Sequence, residues 1–404
     1  MSKTQLAIIF VTRTVLNTAH RIIYPFLPSI ARGLNVSLAV AGGLVTVRLG
    51  AGLIAPLLGP LADRFGRRRT MEAGLVIFTA ASLLLAGSGL FPVAVVAFAS
   101  YGLSKVLYDP AVHAFLSDTV PYSQRGRVIG TVELAWSSAW LLGVPAAGFL
   151  IEHLGWRAPW IVLVGLGLVS LWLTRIGLTS AQDSPGATPA DSPTISPPRQ
   201  KEPGPFAASV VHRWRTLLHE PRIVVLLLTS LLLMAALEIP FIVYGAWLET
   251  AFGLSLSTLG LASIVVGLAE ASAELGVTVL TDRLGKKRSV LVGLLGLAAG
   301  LAVLPGFAHL GPVAGLGGIV LAVLTFEFGL VSLLPIATEL APDARAALLS
   351  LNMAAMSLGR ILGAVAGGWL WKQTGDIAPN ALAGSACALV AAVVMSWGMV
   401  EIAE

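Results

Sequence analysis

GPLADRFGRRRT, at residues 59–70, is the stretch that decides the fold. It holds one aspartate, a glycine three residues later and a run of arginines, and it separates two long apolar runs. A similar stretch, TDRLGKKRS at 281–289, separates two other apolar runs. Because the same loop occurs at corresponding places in each half of the chain, the sequence predicts two similar halves.

Composition places both halves in a membrane. Hydrophobic residues make up 56% of the 404 residues, charged residues make up 12%, and the mean hydropathy is +0.85. A water-soluble domain with this composition could not cover its surface with polar groups. The 43 glycines fit closely packed membrane helices, and the single cysteine, Cys387, excludes an intrachain disulfide. We expect an all-α integral membrane protein that needs no cofactor or metal and binds no nucleic acid.

Twelve apolar runs are each long enough to cross a membrane. About 20 helical residues span a hydrocarbon core of about 30 Å, whereas strands of a membrane barrel alternate in polarity over about ten residues. The first run is too long and too charged for a signal peptide. The runs lie at 5–31, 38–62, 70–89, 92–118, 127–152, 157–178, 221–250, 256–281, 288–307, 313–340, 346–372 and 379–401.

Six runs lie in each half, so we predict two pseudo-symmetric six-helix bundles, at 1–178 and 221–404, around a substrate site at the membrane midplane. Most basic residues fall in loops on the side that holds both termini, and only Arg32, Arg157 and Lys372 fall in loops on the other. By the positive-inside rule, the first side faces the cytoplasm. We expect a monomeric multi-pass protein of the inner or plasma membrane with both termini cytoplasmic.

The predicted halves are joined by a cytoplasmic linker at 179–220. Residues 181–205 are rich in proline, serine and threonine, and they hold too few apolar side chains to fold. A flexible tether is the expectation, and a regulatory role stays open. Residues 206–220 place Phe206, Val210 and Trp214 on one helical face, which predicts a helix lying at the membrane surface.

The repeated loop resembles the signature of the major facilitator superfamily, G-x-L-a-D-r-x-G-r-[RK]-x, between its second and third helices. The second-half copy, the span count, the linker position and the segment SDTVPYSQRGRVIG at 117–130 resemble the same family. Topology alone would explain the arginines, but not the Asp-x-x-Gly spacing that occurs twice. The resemblance is closest to the 12-helix drug:proton antiporter branch, and it implies a transporter and not an enzyme.

The loop chemistry indicates a conformational role. Gly66 permits a tight turn, and Asp63 can pair with an arginine or lie at a helix N-terminus. The resemblance implies that Asp63, Arg64 and Arg67 form a breakable cytoplasmic clamp against the other half. The complete set of clamp candidates is Gly59, Asp63, Arg64, Gly66, Arg67, Asp118, Asp282 and Arg283.

The fifth span gives a further indication of transport direction. LLGVPAAGFLIEHLGW at 141–156 resembles the proline-glycine signature of the antiporters of the family, with Pro145 and Gly148 in place. Val144 and Phe149 stand where that signature has glycines. The match favours export, but a proline-bent helix packed through small residues would explain the same sequence without a direction.

Eleven ionisable residues fall inside the predicted spans. At about 2.5–3.5 kcal/mol each, they would cost about 30 kcal/mol if they faced lipid, which exceeds a typical stability of about 5–15 kcal/mol. Most must therefore face a watered cavity or one another. They are Arg13, Arg21, Arg48, Lys105, Asp109, Glu133, Glu238, Glu270, Glu274, Glu327 and Arg360.

Polar residues follow three- and four-residue steps along the first and fourth spans, so each set forms one stripe. The stripes are Arg13, Asn17, His20, Arg21 and Tyr24, and Tyr101, Lys105, Tyr108, Asp109 and His113. The resemblance implies that spans 1, 4, 7 and 10 line a central cavity. Lys105 and Asp109 could instead neutralise each other at i and i+4, and His20 and His113 could be packing residues.

The in-span charges are mostly basic in the first half and mostly acidic in the second. Arginines suit bidentate contacts with a carboxylate or phosphate, so we expect an anionic or zwitterionic group to bind there, with an apolar tail beside it. The substrate-binding candidates are Arg13, Asn17, His20, Arg21, Tyr24, Arg48, Lys105, Tyr108, Trp136 and Arg360.

Burial favours the protonated form of a carboxyl group, so such a group can carry a proton between the two faces. The proton-coupling candidates are Asp109, Glu133, Glu238 and Glu327. Glu270 and Glu274 share a helix face and could instead bind a cation between them. Drug:proton antiporters of the family often have an acid on span 1 and, on span 4, an arginine four residues before a glycine. This chain has arginines on span 1, and Phe98 stands four residues before Gly102. These departures count against cationic-drug export and the usual proton relay.

These features favour a secondary transporter that works by alternating access, with proton-coupled export of an amphipathic or anionic small molecule of the drug or metabolite type. A lipid or glycolipid translocase of the same fold stays open as an alternative. A membrane sensor or enzyme that does not transport is a further alternative, although H-E-x-x-H, G-x-S-x-G and phosphate-loop motifs do not occur.

Overall fold

The computed structural model describes residues 1–58, 65–178, 214–341 and 344–398. Gly59, Asp63, Arg64, the predicted tether and most of the predicted surface helix lie outside these residues. The side chain of Asp282 is also outside the description. Of the predicted clamp residues, the structure therefore describes Gly66, Arg67, Asp118 and Arg283.

Twelve helices among the described residues are long and apolar enough to cross a membrane, so the predicted span count is confirmed. The first six are α1 (Lys3–Gly33), α2 (Leu38–Leu58), α3 (Arg67–Gly87), α4 (Phe91–Thr119), α5 (Tyr122–Glu133, Ala135–Ser138, Ala139–Gly143 and Val144–Leu154) and α6 (Ala158–Gly177). The last six are α7 (Pro221–Phe241 and Tyr244–Phe252), α8 (Leu256–Leu284), α9 (Lys286–His309), α10 (Pro312–Glu339), α11 (Arg345–Thr374) and α12 (Ile377–Gly398).

Helix α5 contains a π-helical segment at Ala139–Gly143, which ends two residues before Pro145. The backbone N–H of Val144 bonds to the carbonyl of Ala139, five residues back, in place of the usual four. Proline has no N–H to donate and its ring crowds the preceding turn, so a wider turn accommodates it. The proline-dependent distortion expected in this span therefore takes the form of a π-bulge.

The two halves pack in the same pattern. Helix α3 packs on α4 as α9 packs on α10, and the halves meet mainly through α2 with α11 and through α5 with α8. Exchanging the halves converts the first of these interfaces into the second, so the interface has the pseudo-twofold symmetry of a duplicated bundle. Buried aliphatic and aromatic side chains fill the space between the helices.

The repeated loop has the same backbone at its glycine in both halves. Gly66 has φ 92° and ψ 147°, and Gly285 has φ 84° and ψ 148°. Side-chain-bearing residues rarely adopt a positive φ of this size. Each glycine immediately precedes a helix, α3 or α9. The predicted glycine turn is present twice, in one conformation.

The halves meet closely at the end where α1 finishes, here called the Arg32 end; the opposite end, where α1 begins, is the Lys3 end. Arg32 of the first half pairs with Glu249 of the second at 2.7 Å. Glu152 accepts a 2.6 Å hydrogen bond from the backbone N–H of Ser257 at the start of α8. A β-carbon on Gly245 would collide with the backbone of Pro25. Charge pairing and backbone contact together hold the Arg32 end shut.

Candidate functional site

Helices α1, α4 and α5 bring five polar residues of one half together. This first-half cluster consists of Arg13, Asn17, Lys105, Asp109 and Glu133. Arg13 donates to both carboxylate oxygens of Glu133, at 2.6 and 2.9 Å, and its Nε lies 3.5 Å from Asp109. Two-point contacts of this kind are among the stronger ion pairs in proteins.

Lys105 completes the first-half cluster. Its Nζ lies 2.8 Å from Asp109 and 2.6 Å from Oδ1 of Asn17, and it stands 4.0 Å from the centre of the Trp136 ring. The i,i+4 pair of Lys105 with Asp109 therefore exists, but Arg13 also faces that aspartate. Two cations meet two carboxylates, so the cluster is balanced within one half.

The first-half cluster is accessible from the Lys3 end. Along α4, which runs towards that end, the exposed fraction of the side chain rises from 14% at Lys105 through 21% at Asp109 to 43% at His113. His113 lies 3.5 Å from Glu133. The charges of Arg13 and Glu133 also act on Glu274 of the second half. The cluster therefore faces the other half and not the outer surface of the bundle.

A second group of residues joins four helices from both halves. This central network consists of Tyr24 on α1, Arg48 on α2, Glu238 on α7 and Arg360 on α11. Glu238 accepts from the Tyr24 hydroxyl at 2.9 Å and from Nε of Arg360 at 2.9 Å. Arg48 donates to the Tyr24 hydroxyl at 3.2 Å and to the backbone carbonyl of His20 at 2.7 Å. Arg360 also donates to the Tyr24 hydroxyl.

The central network carries more positive than negative charge. Glu238 is only 4% exposed and Arg48 only 3%, and each oxygen of the Glu238 carboxylate already accepts a hydrogen bond. Nε of Arg48 is buried and has no hydrogen-bond partner among the described residues. An unmatched guanidinium in a dry site attracts an anion, because burial weakens solvent screening.

A third group of polar residues pairs Arg21 on α1 with Glu270 on α8, so it also joins the halves. The Arg21 guanidinium lies over the rings of Trp136 and Trp140, at 4.7 and 4.9 Å from their centres. Glu270 is 3% exposed, and it interacts with Glu327 on α10. The indole rings therefore hold the cation where it meets the acidic side chains of the second half.

The two remaining predicted binding residues are His20 and Tyr108. The imidazole of His20 contacts the Leu16 carbonyl of its own helix at 3.1 Å. The hydroxyl of Tyr108 is buried without a partner among the described residues. These contacts fit packing roles as readily as binding roles, so substrate contact by His20 and Tyr108 stays a prediction.

Two of the clamp candidates that the structure describes, Arg67 and Asp118, pair with each other within the first half. Arg67 lies at the start of α3 and Asp118 near the end of α4, and their charged groups are 3.1 Å apart. Arg283 is exposed near the end of α8. The predicted contact between the loop and the other half stays a prediction, because Asp63 and Arg64 lie outside the described residues.

Sequence reasoning did not identify the two described charge pairs that join the halves. The pairing of Arg21 with Glu270 joins residues 249 positions apart, and the pairing of Arg32 with Glu249 closes the Arg32 end. Both glutamates carry a local signal, since acids in or beside apolar runs need a partner. Which cation supplies that partner depends on helix packing, which no local pattern reveals.

The described residues contain no group of histidine, cysteine, aspartate and glutamate side chains arranged to hold a metal ion. The geometry thus presents two kinds of charged site. One is balanced within the first half, and the other crosses the interface between the halves. Both lie within the membrane-spanning helices.

Comparison with known proteins identifies the architecture. The sequence profile of the Major Facilitator Superfamily matches residues 9–248 and 226–403. A Bacillus subtilis protein described as the uncharacterized MFS-type transporter YceJ is 29% identical over 363 residues, covering 89% of this chain and 87% of the relative. The crystal structure of a D-xylose-proton symporter superposes with a TM-score of 0.78 at 18% identity and covers 98% of both chains.

Two relatives match over a shorter stretch and have names that describe resistance or export. Multidrug resistance protein 2 of Bacillus subtilis is 31% identical over 152 residues, which cover 37% of each chain. The tetracenomycin C resistance and export protein of Streptomyces glaucescens is 30% identical over 159 residues, covering 38% of this chain and 29% of the relative. Both names describe the relatives, and each match covers less than half of this chain.

Proposed function

The chain belongs to the Major Facilitator Superfamily, and we propose that it is a proton-coupled secondary transporter that exports an amphipathic or anionic small molecule by alternating access. The family and the relatives are transporters and not enzymes. The observation that carries the proposal is the central network of Tyr24, Arg48, Glu238 and Arg360, which joins both halves inside the membrane-spanning helices.

The central network suits an anionic group on the substrate. Arg48 and Arg360 face one carboxylate, that of Glu238, so one positive charge is unmatched. A substrate carboxylate, sulfonate or phosphate placed beside Nε of Arg48 would supply the missing charge and hydrogen bond. The neighbouring Phe241 ring, 5.2 Å from the Tyr24 ring, offers an apolar surface to the rest of the molecule.

The site is reached from the Lys3 end. The Arg32 end is held shut by the Arg32–Glu249 pair and by the packing of Gly245 on Pro25, whereas exposure along α4 rises towards the Lys3 end. The positive-inside rule makes the Lys3 end cytoplasmic. An importer would release its substrate on the same side, so the proposed direction rests on the names of two relatives and on Pro145 and Gly148 of the antiporter-like signature in α5.

The proposed organisation follows the two bundles. Residues 1–178 and 221–404 form the moving halves, and residues 179–220 tether them on the cytoplasmic side. The protein works as a monomer in the inner or plasma membrane. Because α2 with α11 and α5 with α8 form related interfaces, rocking of one half against the other exposes the central network to each side in turn.

The test is transport into proteoliposomes with an acidic interior, which drives protons outward. The probes are an aryl carboxylate, an aryl sulfonate, a quaternary ammonium compound with the same ring, and a labelled phospholipid. We expect the two anions to accumulate and a protonophore to abolish the accumulation. Arg48→Gln lowers anion accumulation several-fold, and Arg175→Gln, the same change at an exposed arginine near the end of α6, leaves it unchanged.

Each probe separates the proposal from another function. Accumulation of the quaternary ammonium compound alone overturns the anionic substrate. Movement of the labelled phospholipid without accumulation of the soluble probes indicates the translocase alternative. Uptake that does not respond to the pH gradient overturns proton coupling.

A further inference from the structure

The second half gathers three glutamates inside the membrane-spanning helices. Glu270 and Glu274 stand four residues apart on α8 and so share one helix face, and α8 packs against α10, which carries Glu327. The carboxyl group of Glu327 lies within hydrogen-bonding reach of Glu270, and the charge of Glu274 acts on it as well. These residues form an acidic cluster at the face that α8 turns towards the first half.

Among the described residues, Arg21 of the first half faces this acidic cluster without a carboxylate partner in its own half. Arg21 pairs with Glu270 and is held over Trp136 and Trp140. Arg13 and Glu133 also act on Glu274, but they already form a two-point pair with each other. Three carboxyl groups therefore share one available positive charge.

An additional ligand must compensate the remaining negative charge. Ionised carboxylates in the membrane interior are costly, and Oε2 of Glu270 is buried with no hydrogen-bond donor among the described residues. Glu270 itself is 3% exposed. Two ionised carboxylates can only accept hydrogen bonds, so a hydrogen bond between Glu270 and Glu327 requires a proton on one of them.

A proton can fill this role without further ligands. No set of side chains among residues 1–58, 65–178, 214–341 and 344–398 has the arrangement that a metal ion needs. A proton needs only one oxygen on each carboxyl group. It lowers the negative charge by one unit and supplies the donor that Oε2 of Glu270 lacks.

We infer that Glu270, Glu274 and Glu327 form the proton-exchange site of the transporter, and that Arg21 competes with the proton for Glu270. The inference rests on the proton coupling in the proposed function and names the groups that carry it. Other charged or titratable groups facing the site are Arg13 on α1, Glu133 on α5 and, through its interaction with Arg21, Tyr244 on α7.

The position of Arg21 links the proton to movement of the halves. Arg21 belongs to α1 and Glu270 to α8, so their pair exists only while the two halves are in contact at this level. When the halves part, Glu270 loses its cation and takes up a proton from solvent, in addition to the proton that it shares with Glu327. When Arg21 returns, it replaces that proton, which leaves for the solvent then accessible. Each cycle therefore takes up one proton and releases one proton.

The first-half cluster differs from the acidic cluster in this respect. Asp109 and Glu133 face Arg13 and Lys105 within the same half, so separation of the halves leaves their charges matched. Of the four predicted proton carriers, Glu327 is the one assigned to the acidic cluster. Glu270 and Glu274 join it in place of a cation site between them.

Infrared titration of the purified protein in detergent tests this inference with protons as the only ligand. A protonated carboxyl group has a C=O stretching band that an ionised one lacks. We expect the wild-type protein to show this band at neutral pH and Glu327→Gln or Glu270→Gln to lose most of it. Glu339→Gln is the matched control, because Glu339 lies on the same helix, α10, and pairs with Lys286 near its exposed end. That variant keeps the band.

Arg21→Gln provides the second measurement. Removing the competing cation favours the proton, so the band persists to higher pH than in the wild-type protein. A band that is unchanged in Glu270→Gln, Glu274→Gln and Glu327→Gln overturns the inference. A folded state is checked for each variant by gel filtration, and Glu274→Gln, at a half-buried position, remains available if the other variants aggregate.

Transport assays separate failure of this inference from failure of the proposed function. If the wild-type protein transports the aryl anions in response to a pH gradient and the three glutamate variants do so equally well, the acidic cluster is not the proton-exchange site. If the infrared band behaves as expected but the wild-type protein transports none of the probes, the proton site stands and the proposed substrate fails.

Discussion

The first-half cluster and the central network differ in where the partners of their membrane-buried charges come from. In the first-half cluster, Arg13 and Lys105 meet Asp109 and Glu133, and every partner comes from one half. In the central network, Glu238 of the second half meets Tyr24 of the first as well as Arg360. The first arrangement can persist while the halves move, but the second must break when they part.

The comparison shows which charges can control conformation. Contacts confined to one half contribute equally to every arrangement of the halves, so they stabilise the bundle without favouring one state. Contacts that cross the interface stabilise only the arrangement in which they form. We therefore expect substitutions in the central network and at the Arg32 end to change the conformational equilibrium, and substitutions in the first-half cluster to change the stability of the bundle.

The largest expected effect comes from Glu238→Ala. It removes the carboxylate that accepts from Tyr24 and Arg360, and it leaves the buried Arg48 and the partly exposed Arg360 without a counter-charge. Breaking a buried ion pair in this way costs about 3–5 kcal/mol, and thermal unfolding in detergent measures the loss. Glu339→Ala at the exposed Lys286 pair is the control. An equal shift in both variants would contradict the burial argument.

A smaller loss is expected from Asp109→Ala in the first-half cluster. Lys105 then keeps Asn17 and the Trp136 ring, and Arg13 keeps Glu133. We expect a destabilisation of about 1–3 kcal/mol, since a partly exposed charge loses one of several partners. The comparison predicts that this variant changes unfolding temperature but not the accessibility of the Arg32 end. A change in that accessibility would show that the first-half cluster also senses the position of the halves.

Gly245→Ala tests the packing that closes the Arg32 end. The added β-carbon meets the backbone of Pro25, which cannot rotate away, so we expect a cost of about 1–3 kcal/mol to the closed arrangement. In a background with Cys387→Ser, a cysteine introduced by Ser29→Cys near this end reports opening through its labelling by a maleimide. Labelling rises in Gly245→Ala.

The matched control for that experiment is Gly43→Ala, where the new methyl group meets nothing within 4 Å. It leaves the labelling rate unchanged. If Gly245→Ala also leaves the rate unchanged, the contact between α1 and α7 does not hold this end shut.

The smallest expected effect on stability comes from Arg32→Ala. The Arg32 side chain is 58% exposed, so its pair with Glu249 is screened by solvent and contributes about 0.2–1 kcal/mol. We expect an unfolding temperature close to that of the wild-type protein and a modest rise in Ser29→Cys labelling that disappears at high salt. Lys372→Ala, in the last turn of α11 at the same end, is the control. A large loss of stability would place this pair among the buried ones.

The sequence allowed the spans, their number and the family to be predicted, because these properties follow from local composition and spacing. Runs of apolar residues determine helices that cross a membrane, and the twelve predicted spans agree with the observed helices. The Asp-x-x-Gly spacing identified the repeated turn, which both Gly66 and Gly285 adopt with positive φ. Neither conclusion required knowledge of which helices touch.

Which charged side chains pair with each other was decided by the tertiary structure alone. The sequence marked Arg21, Glu238 and Glu270 as ions that need partners, since an isolated charge is costly in a membrane. It could not assign Glu238 to Arg360 or Arg21 to Glu270, because those pairs join helices that lie far apart along the chain and meet only through packing. Helix periodicity specifies the face on which a charge lies, and the arrangement of the two bundles specifies what it meets.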